Sequence, residues 1–105
     1  MKKILFSAFD AGGGNAVFPV AKEILKNKSF KALILIGGPS KEIFKREKIK
    51  HIDADVLRIK DLKTLVIKFK PNIFMGGTSA GLTFDKKILN EVKKLGAKTI
   101  YIFDY

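Results

Sequence analysis

Short continuous apolar runs alternate with segments of helical period along the whole chain. Ile4-Leu5-Phe6-Ser7-Ala8-Phe9 is a run of the first kind, and its lack of polar alternation predicts a strand buried on both faces. A turn cluster, Asp10-Ala11-Gly12-Gly13-Gly14-Asn15, follows it. Val17, Val20, Ala21, Ile24 and Leu25 then recur at the spacing of one helical face, with Asn15 as the expected N-cap. Pro19 sits deeper than the first helical position that suits proline, so the helix start is set only to within a few residues.

The pattern repeats. Ala32-Leu33-Ile34-Leu35-Ile36 predicts a second strand, closed by Gly37-Gly38, and Pro39-Ser40 opens a short helix that buries Ile43 and Phe44. Asp55-Val56-Leu57-Arg58-Ile59 reads as a weak third strand. Asp61 is the expected cap of a helix carrying Leu62, Leu65, Val66 and Phe69 inward, which Pro71 ends. Ile73-Phe74-Met75 predicts the fourth strand, before the run Gly76-Gly77-Thr78-Ser79-Ala80-Gly81. Asp85 is the expected cap of the last helix, with Ile88, Leu89, Val92 and Leu95 inward and Gly96 just past its end. Thr99-Ile100-Tyr101-Ile102-Phe103 is the fifth strand.

Crossover helices between buried strands require a parallel sheet with right-handed connections. The expected fold is therefore α/β: one three-layer, doubly wound, parallel five-stranded sheet in the order 3-2-1-4-5, as a single domain over 1–105. No helix is expected after the last strand, so that edge is either exposed or packed against something outside this chain.

Composition narrows the function. The 105 residues hold 21 Lys+Arg against 10 Asp+Glu, a formal net charge of +11, with one His and no Cys. Disulfide scaffolds, thiolate chemistry and a His-cluster metal site are excluded, and neither a metal nor a cofactor is expected. Nineteen of the cations are Lys, and only Arg46 and Arg58 are Arg. Lys22, Lys26, Lys63, Lys70, Lys86 and Lys93 fall on polar helix faces, which reads as a solvated lysine surface and not as a nucleic-acid footprint of clustered arginines and exposed aromatics. The basic, apolar start resembles a signal peptide briefly, but it ends at Asp10 without a small-residue cleavage site, and no apolar run reaches membrane-spanning length. A cytoplasmic protein is expected.

In the order 3-2-1-4-5, ligands bind beyond the carboxyl ends of strands one and four, where the order reverses. Those ends carry the two richest glycine loops of the chain. Glycine lets backbone N–H groups approach a ligand, and each loop precedes a helix N-terminus that favours anions. Asp10, Gly12, Gly13, Gly14 and Asn15 would face Gly76, Gly77, Thr78, Ser79 and Gly81 across a crevice, with Asp104 at the same edge after the fifth strand. Asp10 and Asp104 either accept sugar hydroxyls or act as a base, or cap backbone N–H groups in their turns; both readings stand. Standard nucleotide motifs fail: Gly12-x-Gly14-x-x leads to Val17, no acid ends strand two, and no Gly-Lys-Ser/Thr occurs. Gly77-Thr78-Ser79-Ala80-Gly81 matches G-x-S-x-G, but the only histidine, His51, lies upstream before an edge strand. His51 is expected to be a surface loop residue, and Thr78 and Ser79 to be hydrogen-bonding groups.

At Asp10-Ala11-Gly12-Gly13-Gly14-Asn15-Ala16-Val17-Phe18-Pro19-Val20 the chain resembles the first loop and helix of GT-B glycosyltransferases. The likeness is strongest to bacterial N-acetylglucosaminyltransferases acting on undecaprenyl-linked muramyl peptide, whose glycine-rich loop runs into a Val-Phe-Pro helix start. Gly76 to Gly81, followed by Lys86-Lys87 and Ile102-Phe103-Asp104-Tyr105, is similar to the N-terminal half of GT-B-like polysaccharide-biosynthesis proteins. Ala16 stands where the transferase loop has a histidine, so an acceptor-side polar group is missing. The resemblance implies the acceptor-side, Rossmann-like half of a sugar-processing protein. It would bind an anionic or nucleotide-sugar ligand and be catalytically incomplete without a second α/β domain or chain, or a second copy, on the uncovered sheet face. The alternative is a stand-alone, non-enzymatic ligand-binding or protein-interaction module.

Overall fold

A computed structural model of the chain describes residues 1–77 and 84–102, apart from the side chains of Asp85 and Lys86. In chain order the elements are β1 (Lys2–Ala8), α1 (Ala11–Leu25), β2 (Phe30–Ile36), α2 (Ser40–Arg46), β3 (Ile52–Asp53), a 3-10 turn (Ala54–Val56), α3 (Ile59–Phe69), β4 (Ile73–Gly77), α4 (Phe84–Lys94) and β5 (Lys98–Ile102). The five strands form one sheet in the order β3-β2-β1-β4-β5, with every pair parallel. No element follows β5 among the described residues. The expected architecture is the observed one.

Register explains the unbroken apolar run of β1. Phe6 pairs with Ile34 on one side and Met75 on the other, so β1 is the central strand. Ile4, Phe6 and Ala8 point to one face, where they pack with Val17 and Ala21 of α1 and Ile43 and Phe44 of α2. Leu5 points to the other, against Leu62 and Val66 of α3 and Ile88 and Val92 of α4. Each fully buried Val, Leu, Ile or Phe among them contributes roughly 1.5–3 kcal/mol. The amino end of the sheet is stapled by Asn72: its Oδ1 accepts from the Lys3 N–H at 2.8 Å, its own N–H donates to the Lys3 carbonyl, and its carbonyl accepts from the Lys98 N–H. One residue before β4 thus ties β1, β4 and β5 together.

Two helices end as expected of chains that must reverse sharply. After α4 the Ala97 N–H reaches back to the Val92 carbonyl and the Gly96 N–H to that of Lys93, with Gly96 at φ +75°. That is the Schellman arrangement predicted at Gly96. α2 closes the same way without a glycine: the Ile49 N–H bonds Phe44 and the Lys48 N–H bonds Lys45, with Lys48 at φ 57°.

Several expected details change. The third strand is not 55–59: β3 is only Ile52–Asp53, because Asp53 Oδ1 accepts from the Asp55 N–H and turns the chain into the 3-10 segment. Val56 is consequently 75% exposed instead of being a core residue. α3 starts earlier than expected, with Arg58 at its N-cap and Asp61 inside its first turn, held by the Arg58 Nε at 3.2 Å. Asn15 is not a cap, since α1 begins at Ala11 with Asp10 in the cap position. Asp85 lies within α4 and not before it. Leu25 and Leu95, expected to point inward, are 51% and 37% exposed at their helix ends.

Candidate functional site

β1 and β4 lie side by side, and the strand order reverses between them. Beyond their carboxyl ends the chain turns at Phe9 and Asp10 and winds at once into α1. Asp10 is extended (φ −70°, ψ 155°), and its carbonyl accepts the Gly14 N–H at 2.9 Å. The Asp10 side chain does not cap the helix. Gly12, Gly13 and Gly14 are therefore the first turn of a helix and not a loop. The N–H groups of Ala11, Gly12 and Gly13, ahead of that first bond, have no acceptor within the helix.

The three glycines do different jobs. A Cβ on Gly77 would lie 2.4 Å from the Gly13 Cα and 2.8 Å from its carbonyl oxygen, so here α1 rests backbone-to-backbone on the end of β4. A Cβ on Gly14 would lie 2.7 Å from the Ser40 Cβ, where α1 meets the start of α2. Gly13 and Gly14 are accordingly buried. Gly12 is exposed, and a Cβ there would meet nothing within 4 Å. Gly76 is filled from its own strand, its Cβ position lying 2.8 Å from the Phe74 ring. Of the expected ligand-facing residues, Asp10 is half-buried and Asn15 exposed at the helix start. Thr78, Ser79, Gly81 and Asp104 lie outside the described residues.

The neighbouring corner is closed by a network that the sequence reading missed. Buried Ser40 lies with its Oγ 2.6 Å from the Gly37 carbonyl and 3.0 Å from that of Ala8, and its N–H donates to the Phe9 carbonyl. Gly38, at φ +53°, donates its N–H to Asp55 Oδ2 at 2.8 Å. Lys41 Nζ meets the same oxygen at 2.8 Å and Asp53 Oδ2 at 3.4 Å. Burial pushes the Asp55 carboxyl up, but the Lys41 hydrogen bond and the Gly38 N–H outweigh it and hold the group below the usual aspartate range. Lys41 is raised, chiefly by its hydrogen bond to Asp55. Strand two indeed ends without its own acid. Asp55 arrives there from beyond β3, where it pairs internally. The Asp53-x-Asp55 spacing was the available signal.

Two further groups bear on chemistry. Ser7, fully buried near the carboxyl end of β1, has an Oγ with no hydrogen-bond partner among the described residues. His51 is half-buried and not a plain surface residue: its Nδ1 lies 2.8 Å from the Ile49 carbonyl and its ring meets Phe44 edge-on. It stands before the outermost strand, β3. Among the described residues no group of three or more His, Cys, Asp or Glu is placed to hold a metal, and no helix is long and apolar enough to cross a membrane.

A central parallel sheet sandwiched by two helix pairs, with a helix start seated at the strand reversal, is a Rossmann-like α/β fold. No protein-family model and no curated protein sequence matches the chain. Among solved structures it is similar to MurG of Acinetobacter baumannii, with a TM-score of 0.70 and 15% identity over 96% of this chain and 34% of that one. It is similar also to the UDP-GlcNAc 2-epimerase of Neisseria meningitidis, solved with UDP-GlcNAc bound (TM-score 0.72, 14% identity, 94% of this chain and 31% of that one). A putative UDP-N-acetylglucosamine 2-epimerase of Listeria monocytogenes gives a TM-score of 0.66 at 15% identity, over 96% of this chain and 30% of that one. The chain thus spans about a third of the length of these proteins. At such identities the likeness establishes the fold, in agreement with the resemblance read from residues 10–20.

Proposed function

We propose that this chain is the acceptor-side, Rossmann-like half of a sugar-processing protein, one unit over 1–105, which holds an anionic or nucleotide-sugar ligand at the start of α1. The carrying observation is Gly12: alone among the glycines of that turn it is exposed with open space at its Cβ position, beside N–H groups that have no helical acceptor. Asp10 and Asn15 flank it. Gly13, Gly14, Gly76 and Gly77 act indirectly, by letting the helix start sit close against β4 and α2. Thr78, Ser79, Gly81 and Asp104 belong to the same proposed edge.

Support for the ligand class comes from the fold, which this chain shares with a protein that carries UDP-GlcNAc. The likeness over only a third of that protein supports the second half of the proposal, that another α/β domain or chain, or a second copy, completes the site and acts with it in the cytoplasm. Positioning and anion stabilisation are what this half supplies; alone it binds and does not turn over.

The test is a thermal shift of the chain with UDP-GlcNAc, UDP and inorganic phosphate. Saturating UDP-GlcNAc raises the melting temperature by mass action, and Gly12→Val abolishes the rise while leaving the unliganded melt intact. No shift with any of the three, or an unchanged shift in Gly12→Val, refutes the site. Binding by a chain that is monomeric and complete in itself favours the stand-alone module.

A further inference from the structure

On the far side of the sheet from the strand reversal, β2 has an open edge. β1 pairs with it over its full length, from Lys2↔Phe30 to Ala8↔Ile36. β3 pairs with it only at Leu35 and Ile36. The cause is the tight exit from α2: the Schellman turn at Lys48 sends Ile49 into the core, and the chain reaches β2 only at Ile52. Residues 30–34 therefore have no strand on that side, a stretch of about 16 Å at ~3.3 Å per residue. A groove of ≈ 310 Å³ opens there, lined by Leu25, Ala32, Leu33, Ile34, Lys50, His51 and Ile52.

We propose that this groove takes an extended acidic peptide segment as an added strand beside β2. Backbone groups on an open strand edge are satisfied by another strand, and not by a helix or a compact small molecule. Two faces then set the sequence preference. Ala32 and Ile34 point to the α1 side, where half-exposed Leu25 overhangs, so alternate residues of the incoming strand are apolar. Lys31 points to the opposite side by strand alternation, and Lys50 lies at the groove wall. Lys28, Lys31 and Lys50 form no ion pair among the described residues, whereas the nearby acids Glu23, Glu47 and Asp53 are already paired with Lys26, Lys22 and Lys41. No acidic side chain lines the groove. The other positions of the strand are thus Asp or Glu. The same charges disfavour a second copy of this chain, which would bring lysines onto lysines.

The probe is a seven-residue peptide alternating valine and glutamate, with a valine–lysine peptide as control, titrated into isotope-labelled chain. The expected result is amide shifts confined to residues 30–34 and their neighbours Leu25 and His51, with at least tenfold slower exchange of the outward amides within 31–34, the Phe30 N–H being already bonded to the Asn27 carbonyl. Lys31→Glu with Lys50→Glu, both at exposed positions, weakens binding about tenfold, and affinity for the glutamate peptide falls as salt rises. Equal affinity for the lysine peptide, shifts elsewhere, or insensitivity to both the double variant and salt overturns the proposal. A concentration-dependent dimer through the same amides overturns it too, since the occupant is then a second copy. None of these readouts involves the sugar-nucleotide site.

Discussion

Gly77→Ala is the sharpest test of how the site is built. The added methyl would lie 2.4 Å from the Gly13 Cα, where carbon atoms in contact stand about 3.5–4.0 Å apart. The obstructing atoms are the backbone of α1, with the Gly13 carbonyl carbon and oxygen at 2.9 and 2.8 Å, so no side chain can rotate away. The helix start must lift by about 1 Å from β4, loosening at the same time the packing of Val17 of α1 in the core against the sheet. Overpacking costs typically 1–3 kcal/mol, and a rigid obstacle on both sides puts this case at about 3 kcal/mol. For a domain of this size that lowers the melting temperature by roughly 12–24 °C. Gly12→Ala, one residue from the same contact, is the control. Its methyl meets nothing within 4 Å, and alanine is the better helix former, so the melt rises by up to about 1 kcal/mol equivalent. Calorimetry of the two variants reads both signs. A Gly77→Ala melt within about 2 °C of the parent would show that α1 does not rest on β4, and the site geometry would go with it.

Three other outcomes follow from single groups. Lys48→Gly relieves a left-handed lysine at the end of α2 and stabilises the chain by about 0.5–1 kcal/mol, read from a urea midpoint that moves up with unchanged slope. Ser7→Ala removes a buried hydroxyl without a partner among the described residues and is neutral or stabilising by about 1 kcal/mol; a loss of more than that in the same urea titration would mean the hydroxyl is bonded. Asp55→Asn removes the charge held below the ordinary aspartate range. That group contributes stability above the unfolded value of 3.8 and loses it as pH falls through its lower folded value, so the variant is less stable near neutrality by no more than about 1 kcal/mol and has a flatter acid limb. Lys41, raised from 10.5, contributes below that value and loses its contribution only as pH rises through its higher folded one, which leaves the acid limb to Asp55.

The alternation of apolar runs and helical segments was enough to give strand order and layers, because β1 must be apolar on both sides to be central and the crossovers admit one hand. What the pattern could not carry was anything set by residues far apart in the chain. Gly12-Gly13-Gly14 has the same local signature whether it cradles a ligand or lets a helix touch a strand; only the approach of Gly77 separates the two, and that contact has no local sign. The third strand was misplaced for a related reason. Val56, Leu57 and Ile59 look like a strand, but the bond from the Asp55 N–H to Asp53 ends β3 first, and α3 then claims Ile59. The late arrival of β3, which meets β2 only from Leu35↔Ile52 onward, leaves residues 30–34 open, so the groove was invisible to a reading that placed the third strand at 55–59. Glycines that fit a phosphate loop by composition thus divide, once the fold is known, into those whose replacement costs the fold and the one, Gly12, whose Cβ position is open and which we propose for a ligand. If UDP-GlcNAc stabilises the parent chain but not a well-folded Gly12 variant, the second class exists; if every effect of these glycines is on stability, the turn is packing and nothing more.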